Sequence, residues 1–480
     1  MRVNLRKTNI VCTIGPASEK KLEELIKTGM NVARINFSHG SYPEQAEKIA
    51  DFLEIRERLK MPVALMLDMQ GPEVRTGKIE TGDEKVLLEE GASFVLVNED
   101  IIGDATKTSV SYKNLYQDVK PGTKILIDDG AIEVEVQEIK DKDIYCKVTA
   151  SGKLGSRKSI NVPGIPLKLP SLKEKDIQDL KDAARVGFDY VAASFVRNKQ
   201  DVLDVRKVLD DNGGQEVKII CKIENQEGID NFEEILETCD GIMVARGDMA
   251  VEVPFEQVPI VQKHFIKRCN EVGKPVITAT QMLESMTHNP LPTRAEVSDV
   301  ANAVYDRTGA IMLSGECAMG KYPLKCVETM VKISKSIEGS VNYWKRFTQK
   351  NIEVKDKDMK FVTSYSAAVT AKNIGADAIV AYTQSGDTGR ILAGLGTGCP
   401  VFAITDSKKT YNQLSVAWNV FPVLVEDAEN IDKTIEKGIE KLKDEYKVLE
   451  EGDTLVIAGG AKILPNQKEE NKVIGGVIKV

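Results

Sequence analysis

Val217-Lys-Ile-Ile-Cys-Lys222-Ile-Glu224 and Gly241-Ile-Met-Val-Ala-Arg-Gly-Asp248 decide how this chain folds. Each is a short apolar run that ends abruptly in charge. Runs of this length read as strands buried on both faces, the mark of a parallel sheet. Side chains alternate along a strand, so Lys222 and Glu224 share one side. They then sit at the C-terminal mouth of the first strand, and the second run delivers Asp248 to the same rim. A lysine and two carboxylates converging there suit a divalent cation, a fixed positive charge and an anionic substrate.

Six more runs have the same character: Ile10–Gly15, Val32–Phe37, Pro62–Asp68, Tyr190–Val196, Pro275–Gln281 and Ala310–Ser314. Helical stretches such as Lys20–Thr28 and Pro259–Glu271 separate most of them. Eight strand–helix units predict a (β/α)8 TIM barrel with its chemistry at the C-terminal strand ends. The polar residues at those ends agree: Arg34, Asn36 and Ser38, then Asp68, Arg197, Thr280, Ser314 and Glu316.

One interval breaks the rhythm. From about Glu73 to Leu167 the chain alternates polar and apolar residues between Gly, Pro and Asp turns, as in Lys124–Val136. This reads as a small antiparallel domain projecting over the active face, placed to act as a lid. A second strand–helix series, with strands near 378–382, 401–404, 420–425, 454–458 and 473–480, predicts a doubly wound α/β domain. The expected division is 1–72 with 168–338 for the barrel, 73–167 for the insert and 339–480 for the C-terminal domain.

A chain of 480 residues can bury several cores. Its net charge of -8 argues against general nucleic-acid binding, which needs a basic surface. No signal-peptide core or membrane-length apolar run occurs, so a cytoplasmic protein without membrane contact is expected. Its eight cysteines include no Cys-x-x-Cys pair and read as reduced packing residues. His39, His264 and His288 form no zinc set, and no P-loop is present.

Glu224 and Asp248 are candidate ligands for Mg²⁺ or Mn²⁺, which take few carboxylates when substrate and water complete the shell. Solvated or salt-bridged strand-end acids are the plainer alternative. Lys222 is a point charge suited to negative charge growing in a transition state, and a salt bridge to Glu224 is its plainer alternative. Arg34, Asn36 and Ser38 share a face by period two, a pattern suited to a phosphate beside a monovalent cation. In Asp68-Met-Gln-Gly-Pro-Glu-Val-Arg75 a turn follows an acid, and Arg75 offers a bidentate phosphate clamp. Thr280 fits either substrate contact or a helix cap. Thr293-Arg-Ala-Glu296 matches a capping box.

Together, Arg34–Gly40, Leu67–Gly77, Ile127–Gly130, Asn161–Gly164, Ala193–Arg197, Lys222–Gly228, Ala245–Glu252, Ala279–Met286, Pro292–Val304 and Leu313–Ala318 resemble the pyruvate kinase family over essentially the whole chain. The resemblance implies a barrel, an inserted small β-barrel and a C-terminal α/β domain. It implies transfer of the phosphoryl group of phosphoenolpyruvate to ADP in glycolysis, with Mg²⁺ and K⁺, by an allosteric homotetramer. By position it implies Lys222, Arg34 and Thr280 as catalytic. Arg34, Lys222, Gly247, Asp248 and Thr280 would contact substrate. Glu224 and Asp248 would ligate Mg²⁺. Asn36, Ser38, Asp68 and the Met69 carbonyl would ligate K⁺, and Arg75 and Lys158 would contact the nucleotide. Met69-Gln70 stands where many members have Thr-Lys, Ala250 replaces a usual Gly, and Cys317 a usual Thr. Glu73 implies K⁺ dependence. The enolate would be protonated by Thr280 with water, or by a relay of Ser314 and Glu316. In Thr383-Gln-Ser-Gly-Asp-Thr-Gly-Arg390 a helix start could hold an effector phosphate, which Asp387 would repel. Gly459–Lys462 departs from common effector loops. A Mg²⁺-dependent lyase on 2-oxo acids needs no nucleotide lid, and a decayed site would have lost some of Arg34, Lys222, Glu224 and Asp248.

Overall fold

Runs of buried apolar residues become Asn9–Thr13, Val32–Asn36, Ala64–Asp68, Tyr190–Ala193, Lys218–Ile223, Gly241–Ala245, Val276–Ala279 and Ala310–Leu313, numbered β1 to β8. They close into a barrel in the order β1-β8-β7-β6-β5-β4-β3-β2, with every neighbour parallel. The computed structural model describes residues 5–38, 40–80, 84–350, 352, 358–426, 428–462 and 471–480. His39 lies outside the described residues.

Period two sorts the side chains. Ile220 on β5 points into the barrel with Met66, Ala192 and Met243, whereas Ile219, Cys221 and Ile223 pack outward against the helical ring. Each fully buried aliphatic side chain contributes about 1.5–3 kcal/mol. Helix ends follow local chemistry. Asn198 Oδ1 accepts the Asp201 N–H at the start of Lys199–Asp211, and Gly187 (φ +82°) ends Glu174–Val186 in the left-handed conformation. The expected capping box forms: the Thr293 hydroxyl accepts the Glu296 N–H, and Glu296 Oε2 accepts the Thr293 N–H at 2.7 Å.

The barrel floor is supplied by the C-terminal part of the chain. Val416 joins the interior cluster of Val11, Tyr190 and Met312. Tyr190 donates its hydroxyl to the Gln413 carbonyl at 2.5 Å, and Asn9 Nδ2 donates to Ala417 O at 2.9 Å.

The insert forms a seven-stranded sheet from Val74–Arg75 through Lys107–Ser109, and an antiparallel bridge from Thr76 to Val110 joins its two edges. Ile132–Lys140 begins with the expected alternation of buried and half-buried residues. C-terminally, Val420–Leu424, Val401–Thr405, Ala378–Tyr382 and Thr454–Lys462 are parallel. Met359–Ile374 and Asp387–Leu395 cover one face and Ile431–Glu440 the other, as doubly wound topology requires.

Three expectations need correction. β6 ends at Ala245, its last register partner being Ala279. Beyond it the chain has no ladder to join and coils into the helix Arg246–Glu252, so Asp248 projects from a helix and not from a strand. β7 stops at Ala279, and Thr280 and Gln281 turn left-handed (φ +65° and +52°). Gly459–Lys462 is not a loop but the end of Thr454–Lys462, which pairs antiparallel with Asn471–Lys479.

Candidate active site

Lys222 extends the inward row of Ile220 and emerges where β3, β4 and β5 end. Its ammonium is 2.8 Å from Ser194 Oγ, 3.0 Å from Glu224 Oε1 and 3.3 Å from Asp68 Oδ1. Burial alone would lower its pKa. Asp68, Glu224 and Asp248 outweigh burial and hold the ammonium well above its ordinary value. Asp68 is 1 % exposed, and its other oxygen accepts from Arg34 Nε at 2.6 Å. Burial would raise that carboxyl, but Arg34 and Lys222 prevail and keep it below its usual range. Arg34 is fixed further by Thr13 Oγ1 at 2.7 Å. Two cations thus flank one buried carboxylate, a fixed positive surface for a multiply charged oxyanion.

Glu224 is fully buried one residue past β5. Its Oε2 accepts the Phe195 N–H at 2.6 Å, and its Oε1 is ion-paired with the Lys222 ammonium at 3.0 Å. Burial, with Asp248 beside it, pushes its carboxyl up to about 8. Burial raises the Asp248 carboxyl too, against the pull of the Lys222 ammonium. Two carboxyls buried near each other, both pushed up, carry more negative charge than the shared Lys222 ammonium offsets, and a divalent ion fits that donor set.

Asn36 lies opposite Asp68 in the β2–β3 register. Its Oδ1 accepts the Ser38 N–H at 3.0 Å, and the Met69 carbonyl accepts from Ser194 Oγ at 2.6 Å. Neutral oxygens around a single carboxylate have the chemistry of a weakly hydrated monovalent cation site, so the set fits K⁺.

At the far side of the rim, Thr280 Oγ1 accepts the Gly247 N–H at 2.8 Å and lies 2.7 Å from Ala279 O. It therefore pins the first turn of Arg246–Glu252, the preceding helix, where a cap on the following helix was the alternative. Glu316 is fully buried, accepting from the Leu283 and Ser314 N–H groups at 3.0 and 2.7 Å. It clasps two loops.

A cavity of about 530 Å³ separates barrel and insert, bounded by Glu73, Arg75, Asp129, Phe195, Asp248 and Glu252 among others. Arg75 lines it, but its Nε is bound to Glu73 at 2.6 Å. Lys158 does not line it and pairs with Asp128 at 2.8 Å. Asn161 Nδ2 donates to Glu252 Oε1 at 2.7 Å, a direct latch between insert and barrel. In the C-terminal loop, Asp387 is neutralised by Arg390 at 2.7 Å and Lys360 at 3.0 Å. Gly386 N–H is taken by Thr383 Oγ1.

Sequence reasoning missed Ser194, Thr13, the Phe195 N–H and the Asn161–Glu252 latch. Ser194 was findable, because it follows the inward-facing Ala192 by two, one residue past the end of β4. The others depend on contacts between segments distant in the chain.

Comparison with known proteins gives the family. A family model described as "Pyruvate kinase, barrel domain" matches residues 5–327, and one described as "Pyruvate kinase, alpha/beta domain" matches 362–472. A Clostridium acetobutylicum protein named pyruvate kinase is 46% identical over 459 residues, covering 95% of this chain and 96% of its own. One of the same name from Clostridium perfringens is 44% identical over 460 residues, with the same coverages. One from Sporosarcina psychrophila is 44% identical over 464 residues, covering 96% of this chain and 78% of its own.

Proposed function

The chain belongs to the pyruvate kinase family, a family of phosphotransferases, and from that premise we propose how its site works. The reaction is transfer of the phosphoryl group of phosphoenolpyruvate to ADP, giving pyruvate and ATP, as a cytoplasmic step of glycolysis with Mg²⁺ (or Mn²⁺) and K⁺. The observation that carries this reading is the Lys222 ammonium, held by Asp68, Ser194 and Glu224 at the mouth of the barrel.

Phosphoryl transfer asks a protein mostly for positioning and charge neutralisation. Arg34 and Lys222 supply two fixed cations on either side of Asp68, so an incoming phosphoryl group meets positive charge that needs no reorganisation. Glu224 and Asp248 would hold the divalent ion, and Asn36, Ser38, Asp68 and the Met69 carbonyl the K⁺. When bound, these ions neutralise phosphoryl and enolate oxygens. Gly247 presents backbone to substrate without a side chain in the way. Thr280 orients that backbone through its hydroxyl, and water carries the proton to the enolate carbon beside it. Glu316 is a poor relay, since backbone N–H groups occupy both its oxygens.

The insert closes over the nucleotide. Arg75 and Lys158 would exchange Glu73 and Asp128 for phosphate oxygens when ADP enters. Homotetramer assembly and allosteric control belong to the same proposal. Phe255, Ile260, Leu291 and Met319, all more than 60% exposed, offer apolar surface for assembly. A lactate-dehydrogenase-coupled assay with phosphoenolpyruvate, ADP, Mg²⁺ and K⁺ tests the reading. Pyruvate formation that requires ADP is expected, and its absence under saturating conditions overturns it.

A further inference from the structure

One residue past the end of β4 stands a side chain that does more than hold Lys222. Ser194 is 5 % exposed and stands among three groups of the site. Its Oγ lies 2.6 Å from the Met69 carbonyl and 3.4 Å from Asp68 Oδ1, and it receives the Lys222 ammonium at 2.8 Å. A hydroxyl has one proton and two lone pairs. The short contact assigns the proton to Met69 O, which leaves a lone pair aimed at Lys222. Gly71 packs its bare backbone against Ser194: a Cβ added there would come within 2.9 Å of both Ser194 Cβ and Ser194 O.

We propose that Ser194 is a positioning residue that couples the monovalent-cation carbonyl of Met69 to the phosphoryl-facing ammonium of Lys222. The inference rests on the K⁺ set and the role of Lys222 proposed above. A cation on the Met69 carbonyl would share the oxygen that accepts the Ser194 proton, so occupancy fixes that carbonyl and, through it, the hydroxyl that receives Lys222. Occupancy of the monovalent site then reads out as correct placement of the lysine, and K⁺ becomes an organiser of the cationic wall as well as a counter-ion.

The test uses the full chain with Mg²⁺ present and compares wild type with Ser194→Ala, Ser194→Cys and Ser194→Thr. Turnover is titrated with KCl at constant ionic strength held by tetramethylammonium chloride. Ser194→Ala is expected to lose about tenfold in kcat and to need several-fold more K⁺ for half-activation, with phosphoenolpyruvate KM within about twofold. Ser194→Cys keeps the shape but hydrogen-bonds weakly, so it should behave like Ala. Ser194→Thr keeps the hydroxyl and should restore the K⁺ response. A second readout needs no turnover: the rise in melting temperature on replacing tetramethylammonium by K⁺ should shrink in Ala and Cys and return in Thr. Ala and Cys variants whose K⁺ half-activation and K⁺-induced melting shift equal those of wild type overturn the proposal, even if kcat falls. A wild type that makes no pyruvate but shows the melting pattern overturns the proposed reaction and leaves the coupling standing.

Discussion

Replacing Lys222 by Met keeps the length of the side chain and removes its charge. At about 3 Å and an effective dielectric near 20, one charge pair is worth roughly 5 kcal/mol. Two such carboxylates, Glu224 at 3.0 Å and Asp68 at 3.3 Å, face the ammonium. Folding feels only part of this. Asp68 keeps Arg34, and Glu224, whose carboxyl is already pushed up to about 8, can take a proton near neutral pH. The expected stability loss is therefore about 1–3 kcal/mol, below the 3–5 typical of an uncompensated buried charge. Catalysis has no such escape, because charge that grows on the phosphoryl and enolate oxygens meets no ammonium. Loss of a fixed donor of this kind costs about 10²–10³ in kcat, and loss of a full cation in phosphoryl transfer reaches about 10³–10⁵. We expect a fall in kcat of about 10³ or more, with phosphoenolpyruvate KM changed less than about tenfold. The coupled assay at saturating Mg²⁺ and K⁺ measures both, and a thermal melt confirms folding. A folded Lys222→Met enzyme within threefold of wild-type kcat would refute the placement of this lysine against the transferring group.

Other outcomes follow from the same geometry. Turnover in K⁺ should exceed that in Na⁺ alone at saturating Mg²⁺, because Glu73 accompanies a neutral-oxygen cation set; equal rates would remove K⁺ from the mechanism. Asn161→Ala breaks the latch to Glu252 and should raise the KM for ADP about threefold while leaving phosphoenolpyruvate KM alone, since one charge-assisted hydrogen bond is worth about 1.5–3 kcal/mol before solvent compensates. Asp387 is held below its ordinary range: burial opposes this, but Arg390 and Lys360 prevail. A depressed folded pKa contributes stability above the unfolded value and loses it as pH falls through the folded one. Asp387→Asn should therefore cost a few tenths to about 1 kcal/mol at pH 7, since the pair is partly exposed. Its melting curve should converge on wild type in strong acid, and a constant gap down to pH 2 would contradict this.

The barrel was legible because apolar runs ending in charge are a local signal. Lys222 and Glu224 follow Ile220 by twos, and nothing distant is needed to place them on the inner face. The fate of Asp248 was not legible in the same way. Whether Arg246-Gly247-Asp248 extends β6 or coils depends on where β7 stops, which is a property of another segment. Thr280 shows the same limit, because its hydroxyl turned toward Gly247 of a helix more than thirty residues earlier in the chain. Asp387 was read as a charge that repels anions. Its neutralisation by Lys360 required knowing that two helices pack side by side.

The seating of Val416 and Gln413 against Tyr190 bears on any attempt to dissect the enzyme. A fragment cut off after the eighth strand would keep every group assigned to the chemistry. It would also carry an open-bottomed cylinder: water would enter among Val11, Tyr190 and Met312, and a phenol would be stranded without its acceptor. The smallest piece that can fold is thus larger than the smallest piece that holds the reacting groups, and excising the latter should yield an insoluble or molten product.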